Sequence, residues 1–169
     1  MDELRDPSTL RGEPGVEYTE ARTTDSADAF EYYADIEGLV AVGVTNDAGA
    51  VLLMDSPHGW RLPYGDVPGG TDWLARVADI AATITGVDAA AAEVLRVSAV
   101  THELRSDTER TATSYDAVVG TEPVDGEPVA ADPTFGEWSN LELAWFDEVP
   151  DDAYHAHGDA VDDIEYFLE

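Results

Sequence analysis

The stretch "WRLPYGDVPGGTDWLARVADIAATITGV", residues 60–87, constrains the fold more than any other part of the chain. Gly65, Gly69 and Gly70 surround Pro68, a composition that lets the backbone turn tightly as a loop. Asp72 stands where a helix N-cap is wanted, because its carboxylate can accept from the first unpaired N–H groups. At about 100° per residue, Trp73, Val77, Ile80 and Ile84 fall on one stripe, which Leu74 and Ala81 widen. Asp72, Arg76, Asp79 and Thr83 make the polar face, and Gly86 stops the helix. A strand end, a glycine loop and a helix closed by glycine follow one another here. The helix has to bury one face against something.

The flanking sequence supplies sheets for it to pack on. "GLVAVGVT" (38–45) and "AVLLMDS" (50–56) are apolar runs joined by the turn residues "NDAG", which predicts a hairpin over 38–56. "RVSAVTHEL" (96–104) and "RTATSYDAVVGTEPV" (110–124) predict a second hairpin across "RSDTE". "LELAWFDEV" (141–149) reads as a last strand after the loop 125–140. "SADAFEYYADI" (26–36) and "DAVDDIEYFLE" (159–169) have helical spacing. Strands that meet as hairpins, with helices between and after them, predict an α+β layered domain. Residues 1–20 carry Pro, Gly and charge without period and read as a flexible arm, leaving 21–169 as a single domain.

Composition narrows the function. Thirty-seven acidic residues against eight basic ones, all eight of them Arg, give a formal net charge of −29. Such a surface repels phosphate backbones and anionic lipid, so neither nucleic acid nor membrane is an expected partner. The acids are spread along the whole chain, which disfavours an acidic tail. A decoy that imitates nucleic acid is the other alternative. Adaptation to a salt-loaded cytoplasm, as in a halophile, explains the charge best, because dissolved ions screen the self-repulsion. With 44% apolar residues the chain is still expected to fold. It has no Cys, which excludes disulfides, thiolate metal sites and Cys nucleophiles. The first residues lack the basic start and apolar stretch of a signal peptide, and no apolar run spans a bilayer, so the expected location is cytoplasmic.

The spacing of residues 60–87 resembles the box of the Nudix hydrolase family, G-x5-E-x7-R-E-U-x-E-E-x-G-U with U apolar. Gly65, Gly86 and Val87 fall in register with it, Ala81 and Thr85 fit the helix end, and Gly70 fits the Gly before the first Glu. Trp60, Leu62, Pro63 and Gly65 fit its W-x-L-P-x-G lead-in. Glu142, Trp145 and Phe146 fit the E-x-x-W-F strand common near the family's C-terminus, so the likeness runs from about residue 36 to 150 in the right element order. It implies a mixed sheet between helices and, held in full, Mg²⁺-dependent cleavage of a nucleoside diphosphate linked to another group.

The carboxylates of that chemistry are missing. Thr71 replaces the first Glu, Asp79 and Ile80 replace the Arg-Glu pair, and Thr83 and Ile84 replace the later two. In the family those glutamates hold the divalent ions that neutralise phosphate charge and activate water. Such hard ions need oxygen ligands, which Ile lacks. The resemblance therefore implies a member whose metal face has become core, with no cofactor and no catalytic residue at the box. Mg²⁺ returns only if displaced carboxylates replace the ligands, for which Asp66, Asp79 and Glu103 are the candidates.

Three functions stay open on the sequence. The first is a protein that binds a nucleotide-type small molecule, a nucleoside-diphosphate-linked ligand, with catalysis lost. The second is a metal-dependent pyrophosphohydrolase with displaced ligands, and the third is a protein-interaction or regulatory module. For the first, Trp60, Arg61, Tyr64 and Gly65 flank the region that faces the ligand cleft in a Nudix-like fold. An aromatic ring there stacks a base, and a guanidinium pairs with phosphate. "HAH" (155–157) with Asp159 has metal-ligating residue types, but exposed loop histidines are the plainer reading. His58 and His102 have no identifiable nucleophile or orienting partner, and Trp138 and Trp145 read as packing residues. There is no Walker loop, Rossmann fingerprint or triad-type motif.

Overall fold

A computed structural model describes residues 2–131, 142–154 and 158–168. The helix read from residues 73–85 forms as its caps dictate: α2 spans Trp73–Thr85. Asp72 Oδ1 accepts from the Leu74 N–H at 3.1 Å. Gly86, at φ 78°, closes the helix by donating its N–H to the Ala82 carbonyl at 2.8 Å. Trp73, Val77, Ile80, Ala81 and Ile84 are fully enclosed in one apolar core with Val40, Val42, Leu52 and Met54.

The sheet under α2 is five-stranded and mixed. It contains β1 (Glu17–Asp25), β2 (Ile36–Gly43), β5 (Tyr64–Pro68), β6 (Ala91–Leu104) and β7 (Asp107–Thr121) in the order β1-β6-β7-β2-β5. β1 runs parallel to β6 and β2 parallel to β7, while the β6–β7 and β2–β5 pairs are antiparallel. A smaller antiparallel sheet, β4-β3-β8, is built from β3 (Val51–Ser56), β4 (Gly59–Arg61) and β8 (Leu143–Phe146). α1 (Ala27–Asp35) and α3 (Gly158–Glu165) pack on the side of the large sheet away from α2. The fold is thus α+β, a single domain with a mixed sheet between helices. No helix among the described residues is long and apolar enough to cross a membrane.

Two cores result from the alternation of strand residues. Val40 and Val42 of β2 face α2, whereas Ala41 packs with Val118 and with Ile164 of α3. β3 bridges both cores, with Leu52 and Met54 in the first and Val51 and Leu53 in the second. Phe167, just past α3, lies on the paired glycines Gly43 and Gly120. A Cβ at Gly43 would stand 2.1 Å from the Phe167 ring, so the ring fits because both paired residues lack a side chain.

Three expectations are corrected. Residues 2–20 are not an arm. Asp6 caps a 3-10 turn at Pro7–Leu10, Leu4 and Leu10 are buried, and the Leu4 N–H reaches the capping Asp72 at 2.8 Å. The 38–56 hairpin keeps its turn, where Asn46 Oδ1 accepts from the N–H groups of Ala48 and Ala50, but its arms meet beside the turn, at the Thr45–Val51 bridge and the Leu52 N–H bond to the Val44 carbonyl, and do not pair as two long strands. β2 already has β7 and β5 on its two edges, so β3 must find other partners. The glycine loop is shorter than read, because Tyr64–Pro68 is a strand paired to β2.

Candidate functional site

Around the middle of the large sheet, the face turned away from α2 is not closed by apolar side chains. A cleft of about 280 Å³ opens there. Leu39 and Ala41 of β2 form its floor with Asp116 and Ala117 of β7. Tyr33 enters from α1, Asp163 from α3 and Arg96 from β6, and Arg61 and Tyr64 stand on β4 and β5.

Charge in the cleft is organised by two arginines. Arg96 Nη2 donates to Asp163 Oδ1 at 2.7 Å, and both side chains are only 14% exposed. This pair fastens α3 to the sheet. The Arg96 Nε is buried without a partner among the described residues, so one strong donor remains to be satisfied. The Arg61 guanidinium lies 4.3 Å from the Tyr64 ring centroid and 5.4 Å from that of Tyr154. It makes no ion pair among the described residues, although the chain has 37 acids. Burial pushes the Tyr33 hydroxyl above its usual pKa, and the negative charges of Asp116 and Asp25 add to this, so the phenol stays neutral and polar.

Of the four ligand-binding candidates, the structure brings Arg61 and Tyr64 together at the cleft. Trp60 is turned into the second core, edge-on to Phe146 at 4.9 Å, and does not line the cleft. Gly65 faces α2, where a Cβ would lie 2.9 Å from Arg76 Nη2 and 3.0 Å from Ile80 Cδ1. Its role is to let the helix approach β5.

The three carboxylates named as displaced metal ligands are not gathered. The Asp66 carbonyl accepts from Arg76 Nε at 2.8 Å, and its carboxylate lies 3.7 Å from the same guanidinium. Asp79 is exposed on the outer face of α2. Glu103 pairs with Arg22 across β6 and β1. β5 and β6 are separated by β7 and β2, about 14 Å at normal strand spacing. No cluster of three or more His, Asp or Glu suited to one ion occurs among the described residues. At the box itself, Ile80 and Ile84 are 0% exposed and fully enclosed by hydrocarbon, so they present no surface to an ion.

His58 is exposed, its ring 4.9 Å from that of Tyr154. Trp145 packs against the first core and donates from Nε1 to the Pro128 carbonyl at 3.2 Å. Trp138, His155 and His157 lie outside the described residues, as does the side chain of Asp159. His102 does have partners that sequence reasoning missed. Its Nδ1 is 2.6 Å from Asp25 Oδ2 and its Nε2 is 2.7 Å from Ser114 Oγ. The signal for Ser114 lay in the β6–β7 register. The signal for Asp25 required β1, which has no apolar alternation to reveal it.

No family model matches the chain, and no curated protein does. Fourteen chains of solved structures match it. One is the crystal structure of a NUDIX hydrolase from Nitrosomonas europaea, 16% identical, covering 79% of this chain and 70% of that one, with a TM-score of 0.46.

Proposed function

We propose that the protein binds a nucleoside-diphosphate-linked small molecule in the cleft beside Arg61 and does not hydrolyse it at the helix box. The observation that carries this reading is Arg61. In so acidic a protein, a half-buried guanidinium stacked on Tyr64 and making no ion pair with a described carboxylate is positioned for an anion from outside. Arg105 and Arg110, the other two that form no ion pair among the described residues, are exposed. Tyr33 and Tyr64 supply the flat apolar surfaces against which a planar base packs. At about 280 Å³ the cleft is at the small end for ligand sites, so it takes a base or ribose while the diphosphate lies outward over Arg61.

The helix supports the absence of turnover. Metal neutralisation, water activation and substrate orientation depend on the same carboxylates and are lost together when Thr71, Ile80, Thr83 and Ile84 stand there. The test is a titration in molar KCl with ADP-ribose, ADP and AMP, with and without Mg²⁺, read by thermal shift and product analysis. Binding at a hundred times the dissociation constant stabilises by about 2.7 kcal/mol, a rise of about 5–10 °C in midpoint for a chain of this size. Arg61→Ala should weaken binding about tenfold or more. No shift with any of the three ligands would refute the binding reading. Metal-dependent turnover removed by EDTA would refute the loss of catalysis.

A further inference from the structure

Three strands place Asp25, His102 and Ser114 on one face of the large sheet. His102 on β6 is opposite Thr23 of β1 and Ala112 of β7. Asp25 and Ser114 each lie two residues farther along their strands, so all three side chains project the same way. The contacts at 2.6 Å and 2.7 Å use the two different ring nitrogens of His102. In the tautomer with its hydrogen on Nδ1, toward the Asp25 carboxylate, Nε2 is left to accept the Ser114 hydroxyl proton. A carboxylate, an imidazole and a hydroxyl in that order are the arrangement that activates serine as a nucleophile.

Ser114 is 1% exposed and His102 3%, and what covers them is α1. The Tyr33 ring stacks on the imidazole, centroids 4.3 Å apart and planes 12° from parallel. α1 has nine residues, of which only Phe30 is fully buried. So short a helix has little stability of its own and opens at lower cost than the whole fold. Tyr33 also lines the cleft, and so does Asp116, two residues beyond Ser114 on the same strand and face. A swing of the Tyr33 ring would join the cleft to the serine.

We propose that Asp25, His102 and Ser114 form an ester-cleaving site gated by α1, whose substrates are small carboxylic esters of aromatic alcohols held between Tyr33 and Tyr64. Ser114 Oγ bonds to the ester carbon while His102 Nε2 takes its proton. The carbon–alkoxy bond breaks, and the departing alcohol carries that proton away. Water then attacks the acyl-serine, gives a proton to His102, and the acid leaves as the proton returns to Ser114. This site does not depend on nucleotide binding at Arg61, and its test uses no nucleotide.

The test treats the whole protein in molar KCl with a fluorophosphonate probe, which forms an Oγ–P bond and releases fluoride. Labelling is followed by intact mass and peptide mapping. One adduct is expected on Ser114, forming about tenfold faster in Tyr33→Ala, the upper range for loss of one aromatic stack. His102→Gln should slow labelling about 100-fold or more. Asp25→Asn keeps the side-chain shape and should also slow it strongly, which provides a second reading if His102→Gln fails to fold by circular dichroism. p-Nitrophenolate release from p-nitrophenyl acetate should fall in His102→Gln and Asp25→Asn as labelling does and disappear in Ser114→Ala. No adduct on Ser114 in either the wild type or Tyr33→Ala would overturn the proposal. So would equal labelling rates in the wild type and both the His102 and Asp25 variants, or ester cleavage unchanged by Ser114→Ala.

Discussion

Replacing Ile84 by Ala tests whether the box helix is core. Ile84 is 0% exposed and packs among Trp73, Val77, Ile80 and the strand residues of the first core. The substitution removes three carbons from that site. At about 0.8 kcal/mol per buried methylene, the transfer term is about 2.4 kcal/mol. The void adds about 24 cal/mol per Å³ of whatever volume does not collapse, while alanine's better helix propensity returns about half a kcal/mol. The expected loss is about 2–4 kcal/mol. Urea unfolding in molar KCl, followed by circular dichroism, measures it without the ionic contribution of guanidinium. Thr83→Ala is the control, since Thr83 is exposed on the same helix and should change stability by no more than about half a kcal/mol. A loss at Ile84 as small as that of the control would refute the reasoning, because the position could not then be enclosed hydrocarbon.

Three further outcomes are expected. The unfolding midpoint should rise from dilute to molar KCl, because the screening length falls from about 10 Å at 0.1 M to about 3 Å at 1 M while the net charge is −29; a midpoint indifferent to salt would remove the halophilic explanation. Gly43→Ala should cost about 1–3 kcal/mol by overpacking against Phe167, and part of that should return when Phe167→Leu is added, measured as a double-mutant cycle. Tyr166, partly desolvated and bonded to Glu17, has its pKa raised to about 12, so its neutral form is favoured in the fold. Its stabilising contribution is complete below about pH 10 and lost as pH rises through about 12; tyrosinate absorbance should show a late component that Tyr166→Phe removes.

What could be read from the sequence was local. α2 was legible at both ends, since a capping Asp72, a 3.6-residue stripe and a left-handed Gly86 act within the segment that they define. Strand β5 was not, because "YGDVP" has turn composition and becomes a strand only by pairing with β2, a contact that crosses more than twenty residues. β1 was hidden for a related reason. "EYTEARTTD" is almost wholly exposed, so no hydrophobic alternation marks it, and it is held by parallel pairing to β6 and by the Arg22–Glu103 ion pair. With β1 unseen, Asp25 had no place beside His102. Arg61 and Tyr64 could be named together from the sequence because they are close in it, and both line the cleft. Arg96, Asp116 and Asp163 were not, because three separate elements bring them to the same cleft.

The two faces of the large sheet have different chemistry. On the α2 face, Val40, Val42, Trp73, Val77, Ile80 and Ile84 are buried together in one apolar core. A glutamate placed at position 80 or 84 would arrive as an unpaired charge among buried apolar side chains, where desolvation opposes it before any ion can help. On the opposite face the sheet carries Arg96, Ser98, His102, Ser114 and Asp116 on adjacent strands. A core needs none of these, and each costs stability unless it is paired. They are covered by α1, which fully buries a single residue, and by α3, which is tied down through Asp163. Polar groups kept under so light a cover make the α1–α3 face the one on which the proposed ligand site and the proposed serine site are to be tested, while the α2 face is packed as core.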